Sequence, residues 1–92
     1  MKLRESGMPD EVFWETLFDV NLILDRLEID RRLRDVVELG CGYGTFTLPV
    51  ARRISGHLHT FDIAADMVAR TRERAKAENI GNFVSAARDG FL

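Results

Sequence analysis

The chain has 92 residues, enough for at most one small domain. Its 46% hydrophobic and 30% charged residues are the proportions of an ordinary globular protein, and no apolar run approaches the roughly 20 residues of a membrane span. A formal charge of −2 gives no general attraction to nucleic acid or to an anionic membrane, and a single cysteine excludes an internal disulfide and fits a reducing cytoplasm.

In chain order, residues 1–8 are polar, and Pro9-Asp10 opens a helix with Asp10 as its N-cap and Glu11 favourable in the first turn. Phe13, Leu17, Val20, Leu24 and Leu27 then recur at helical spacing and form one apolar face. Residues 19–21 offer a break into two shorter helices, with Asp19 capping the second. Trp14 lies beside the stripe and reads as a packing aromatic. Arg31, Arg32 and Arg34, offset by Asp30 and Asp35, read as a solvated turn rather than a phosphate site. Residues 1–34 are thus an N-terminal helical segment, and residues 35–92 a separate unit.

That unit is organised around Asp35-Val36-Val37-Glu38-Leu39-Gly40-Cys41-Gly42-Tyr43-Gly44. A β-branched apolar run of this length reads as a buried parallel strand. The three alternate glycines read as the turn into a helix where a ligand approaches the backbone. Gly40 allows the sharp turn, Gly42 removes a Cβ on the ligand side, and Gly44 lets the helix pack against the strand. Cys41, between them, reads as a small buried residue rather than a nucleophile. The helix that follows spans residues 45–54 and ends at Ser55-Gly56, with Pro49 in conflict with a helix interior.

A second strand covers residues 57–62 and a third residues 83–87. Between them a helix spans residues 66–79, with Asp66 as N-cap, Asn79 and Gly81 as stop signals, and Arg70, Arg72, Arg74 and Lys76 as a solvated face. His57 and His59 are strand residues rather than metal ligands, having no nearby Cys or third His. Strand–helix–strand–helix–strand is half of a doubly wound α/β, Rossmann-like fold, and right-handed crossovers put its parallel strands in the order 3-2-1.

Loops at the carboxyl ends of such strands bind ligands. Here they present Glu38 with the glycines, then Asp62, then Asp89 beside Gly90. A carboxylate at the end of strand two can accept from two ribose hydroxyls, and an acid after strand three can accept from a base amino group. Together they outline an adenosine.

The run Val37-Glu38-Leu39-Gly40-Cys41-Gly42-Tyr43-Gly44, with Phe61-Asp62-Ile63, Asp66-Met67 and Arg88-Asp89-Gly90, resembles the class I S-adenosylmethionine-dependent methyltransferases of the bacterial small-molecule type. The likeness is strong over residues 35–90 and weak before them. It implies S-adenosylmethionine as cofactor and S-adenosylhomocysteine as product. It further implies that Glu38 serves the methionine end, and that Gly40, Cys41, Gly42, Tyr43 and Gly44 lie along it. Asp62 is expected on the ribose, Ile63 and Met67 against adenine, and Asp89 with Gly90 on the adenine amino group and ring nitrogen. No catalytic residue follows from it, and the acceptor is an unidentified small molecule.

The charge pattern agrees, because that cofactor has no phosphate and the glycine loop has no Lys or Arg. A nicotinamide dinucleotide is the weaker alternative, since Gly-x-Gly-x-x-Gly would need glycine or alanine where Thr45 stands. A P-loop is excluded by the lack of Gly-Lys-Ser/Thr. A complete domain of this family has more strands, so the expectation is a truncated cofactor-binding half. A non-catalytic binding or assembly module is the other reading. A homo-oligomer joined at the unprotected strand-one edge is expected.

Overall fold

The computed structural model describes residues 10–87. Its elements are α1 (Glu11–Glu15), α2 (Val20–Arg26), β1 (Val36–Leu39), α3 (Thr47–Arg53), β2 (Leu58–Asp62), α4 (Ala65–Ala77) and β3 (Phe83–Ala87).

Two of the three expected caps form. The Asp10 carboxylate accepts from the Phe13 N–H at 3.1 Å and that of Asp19 from the Leu22 N–H at 3.2 Å, each satisfying an orphan first-turn donor. The apolar stripe does not survive as one face. The turn between α1 and α2 resets the helical phase, so Leu24 is buried while Phe13, Leu17 and Leu27 stay exposed. Trp14 stacks edge-on against Phe18, and Phe18 against Phe46 at the start of α3.

The three strands are parallel and ordered β1-β2-β3, with Val36 opposite Leu58 and Leu58 opposite Phe83. Both crossovers step the same way across the sheet, so right-handedness puts α3 and α4 on one face. Leu58, Thr60 and Asp62 point into that layer and are buried. Leu24, Val50, Ala51, Ile54 and Leu58 form the core, with Val36, Phe46 and Phe83 packed around it.

The opposite face corrects the expectation of a buried first strand. Val37, Leu39 and Val84 are 65%, 64% and 53% exposed, because among the described residues no element covers them. A parallel strand is buried only when helices lie on both faces.

Pro49 is the third residue of α3, within its first turn, where the ring's fixed φ is tolerated, and its neighbours Leu48 and Val50 still donate to the Gly44 and Phe46 carbonyls. The conflict is resolved by starting the helix at Thr47 instead of Thr45. Helix α4 also begins differently. Ala64 occupies the cap position, and Asp66 sits in the first turn, where its charge still favours the dipole. Asn79 takes the left-handed conformation that ends α4, with φ of 57°. No helix among the described residues is long and apolar enough to cross a membrane.

Candidate cofactor site

The strand β1 ends in a loop whose backbone only glycine holds easily. Gly40, Gly42 and Gly44 have φ of 84°, 54° and 86°. Space adds to conformation at Gly44, where a Cβ would stand 3.3 Å from Thr71 Cγ2 and 3.5 Å from Leu48 Cγ. The tight partners of Gly44 are therefore α4 and α3, not the strand.

The loop is pinned at its ends and middle. The Gly40 N–H donates to the Phe61 carbonyl and the Gly44 N–H to the Cys41 carbonyl. From β2, Asp62 Oδ2 accepts from the Gly42 N–H at 3.0 Å. From α4, the Thr71 hydroxyl donates to the Gly42 carbonyl at 3.0 Å, and Arg74 Nη1 to the Tyr43 carbonyl at 3.0 Å. Tyr43 is buried beneath the loop.

Asp62 also accepts from the Ala64 N–H through Oδ1 at 2.9 Å, so one carboxylate braces the glycine loop and the start of α4 together. A carboxylate offers about four acceptor positions, which leaves Asp62 able to take further donors.

Glu38, on β1, faces the same layer as Thr60 and Asp62 of the neighbouring strand. Its Oε1 accepts from the Thr47 hydroxyl at 2.6 Å and the Thr60 hydroxyl at 2.7 Å. Burial pushes the Glu38 carboxyl above its usual range. The two hydroxyls pull it back, and the negative charge of Asp62 raises it further. Cys41 is 3.9 Å from Asp62 Oδ2, and burial, with Asp62 and Glu38 adding, pushes its thiol up to about 11. At neutral pH it is a thiol, so it is a small buried residue and no nucleophile.

Of the other expected contacts, Ile63 is 71% exposed beside Asp62, and Met67 is fully buried, with no surface for a ligand. Asp89 and Gly90 lie outside the described residues.

Four residues were missed by sequence reasoning, Thr47, Thr60, Thr71 and Arg74. Thr60 had a signal, since it pairs with Glu38 in the β ladder and so shares its face. Thr47 had none, and Arg74 was assigned to a solvated face. Arg70, Arg72 and Arg74 in fact bond to Glu11, Ser85 and Tyr43 respectively.

Two acids at adjacent strand ends repel each other, and no Lys or Arg occurs within residues 40–44. The donor set fits a ligand that brings positive charge and hydroxyl groups, and disfavours a pyrophosphate. S-adenosylmethionine has that character. A family profile described as a methyltransferase domain matches residues 36–90, from the start of β1 to beyond the end of β3.

The chain belongs to that family.

It is of the class I, S-adenosylmethionine-dependent type that the glycine loop resembles. The methyltransferase domain is 35% identical over 85 aligned residues to a 23S rRNA uracil-C5-methyltransferase of Methylococcus capsulatus, covering 75% of this chain and 19% of the relative. It is 44% identical over 45 residues to a ribosomal RNA small subunit methyltransferase of Aromatoleum aromaticum, covering 49% of this chain and 17% of the relative. Its fold matches a SAM-dependent methyltransferase from Aquifex aeolicus with a TM-score of 0.71 at 20% identity, over 87% of this chain and 43% of that one. The methyltransferase domain thus spans a fifth or less of the length of the curated relatives it matches.

Proposed function

We propose that the domain holds S-adenosylmethionine over residues 40–44 and that the protein transfers its methyl group to a small-molecule acceptor in the cytoplasm. In this reading Glu38 receives the amino end of the methionine moiety, Asp62 the ribose hydroxyls, and Ile63 flanks adenine. Asp89 and Gly90 meet the adenine edge. The cofactor, when bound, supplies a methyl group activated by a sulfonium centre. The chain's own residues fix the loop backbone and present carboxylates to the cationic and hydroxyl-bearing parts. The exposed β1 residues Val37 and Leu39 support self-association along that edge. The single thiol, Cys41, is in keeping with a reducing compartment.

The observation that carries the reading is Asp62. It stands at the end of β2, tied to the Gly42 N–H and beside the half-buried Glu38. That pairing of an acid with a glycine-loop amide presents hydroxyl acceptors where a phosphate would meet negative charge.

The test is calorimetric titration with S-adenosylhomocysteine and, separately, NAD. Saturable binding of the first and silence with the second is expected. Asp62→Ala should lower affinity at least about tenfold, since each charge-assisted hydrogen bond is worth roughly 1.5–3 kcal/mol. Saturable NAD binding with no response to S-adenosylhomocysteine would overturn the proposal. Binding without any methyl transfer would favour a non-catalytic module.

An RNA acceptor is the second reading, supported by the relatives' names, which specify ribosomal RNA. Tritiated methyl groups recovered in RNA, rather than in acid-soluble material, would select it.

A further inference from the structure

The glycine loop is held from behind by α4, and α4 is in turn the anchor of α1. A single nitrogen, Arg74 Nη1, donates both to the Tyr43 carbonyl in the loop and to Glu15 at the end of α1. One turn earlier Arg70 pairs with Glu11 at the start of α1 through two of its nitrogens. Helix α1 itself is five residues long and buries none of them. Beside it, Glu15, Val20, Asn21, Thr45, Pro49 and Arg74 border a cleft of about 320 Å³. Trp14 meets Phe18 edge-on, and the ion pairs of Glu11 with Arg70 and of Glu15 with Arg74 tie α1 to α4. A short helix with little buried surface sits at the low end of local stability.

We propose that Arg74 is a positioning residue, which sets the peptide orientation of the cofactor loop and couples it to the docking of α1. The inference rests on the reading that this loop holds S-adenosylmethionine.

The geometry works through peptide planarity. With the Gly42 and Tyr43 carbonyls drawn toward α4 by Thr71 and Arg74, the trans peptides turn the N–H groups of Tyr43 and Gly44 away from that helix. Loss of the Arg74 bond removes one restraint on the Tyr43–Gly44 peptide, whose N–H still donates to the Cys41 carbonyl, and the left-handed glycine positions lower the cost of its rotation. Undocking of α1 leaves Glu15 off Arg74, and the guanidinium then loses the partner that holds it over the loop. Coupling of this kind is reciprocal, so cofactor binding should also favour docked α1.

The full chain supplies three independent readouts. Amide exchange at Gly44, measured without ligand, reports loop opening. Titration with S-adenosylhomocysteine reports affinity, and emission from Trp14, the sole tryptophan, reports α1 docking. Glu15→Gln breaks the ion pair without touching the loop. It should speed Gly44 exchange, shift Trp14 emission and weaken binding about fivefold or more, the lower end of typical coupling. Arg74→Ala should do so more strongly.

The charge swap Glu15→Arg with Arg74→Glu is the decisive variant. It restores α1 docking but places a carboxylate where the Tyr43 carbonyl needs a donor. Trp14 emission should return while affinity stays low. Wild-type exchange or wild-type affinity in Glu15→Gln would overturn the coupling, and wild-type affinity in the swap would overturn the bridge. If the unaltered chain ignores S-adenosylhomocysteine, the reading of the site fails, and Gly44 exchange in Glu15→Gln still decides the coupling.

Discussion

Glu38 shows how one residue ties the fold to its ligand. Burial raises its carboxyl pKa in the folded state above the ordinary 4.5. From 4.5 up to that raised value the folded chain binds more protons at this site than the unfolded chain does. The contribution of Glu38 to stability is therefore full below 4.5 and is lost as pH rises through the window. A cationic ligand end reverses the preference and favours the carboxylate. S-adenosylmethionine affinity should then rise with pH across the same window and level off above it. Calorimetry over an acidic pH series checks this, and Glu38→Gln should give a flat, weaker profile. A flat profile in the unaltered chain would remove Glu38 from the ligand.

At the scale of elements, the turn between α3 and β2 is a tight joint. A Cβ at Gly56 would stand 2.3 Å from the Arg34 carbonyl oxygen and 2.7 Å from Asp35 Oδ1. Neither backbone nor the carboxylate that accepts from the His57 N–H can yield easily. Gly56→Ala should destabilise by about 3 kcal/mol or more, at or above the upper end of ordinary overpacking, read as a lowered denaturant midpoint.

That joint was visible in the sequence only as a Ser-Gly stop signal. The elements that were legible carry local signatures: Asp10 and Asp19 as caps, the β-branched run of β1, and the alternate glycines. The rest depended on contacts distant in sequence. Nothing near Arg74 marks it as a partner of Tyr43, which is 31 positions away. The Phe13 to Leu27 stripe misled because periodicity alone does not register the turn that resets helical phase. Asp66 had the right residue type for a cap, but Asp62, with its Oδ1 on the Ala64 N–H, performs the equivalent task from outside the helix.

At the scale of the whole molecule, the outstanding fact is that, among the described residues, the sheet carries helices on one side. Val37 and Leu39 lie exposed at the free edge of β1, and Val84 lies exposed on the same face at β3. The 92-residue chain by itself is expected to self-associate there, because an exposed apolar strand without lysine or proline is a pairing template. Light scattering at micromolar concentration should give a mass above that of one chain. Leu39→Lys should return it to monomer with its helical and strand content unchanged. A monomer before substitution would end this expectation.

The loop's only thiol has a use in time rather than space. Cys41 is the chain's one cysteine, 5% exposed and protonated at neutral pH while the loop is closed. An alkylating reagent can modify it only in moments when the loop lifts away from Asp62. The labelling rate is therefore a clock for loop opening, readable by mass as a single addition. It should fall well below that of a free thiol and slow further at saturating S-adenosylhomocysteine.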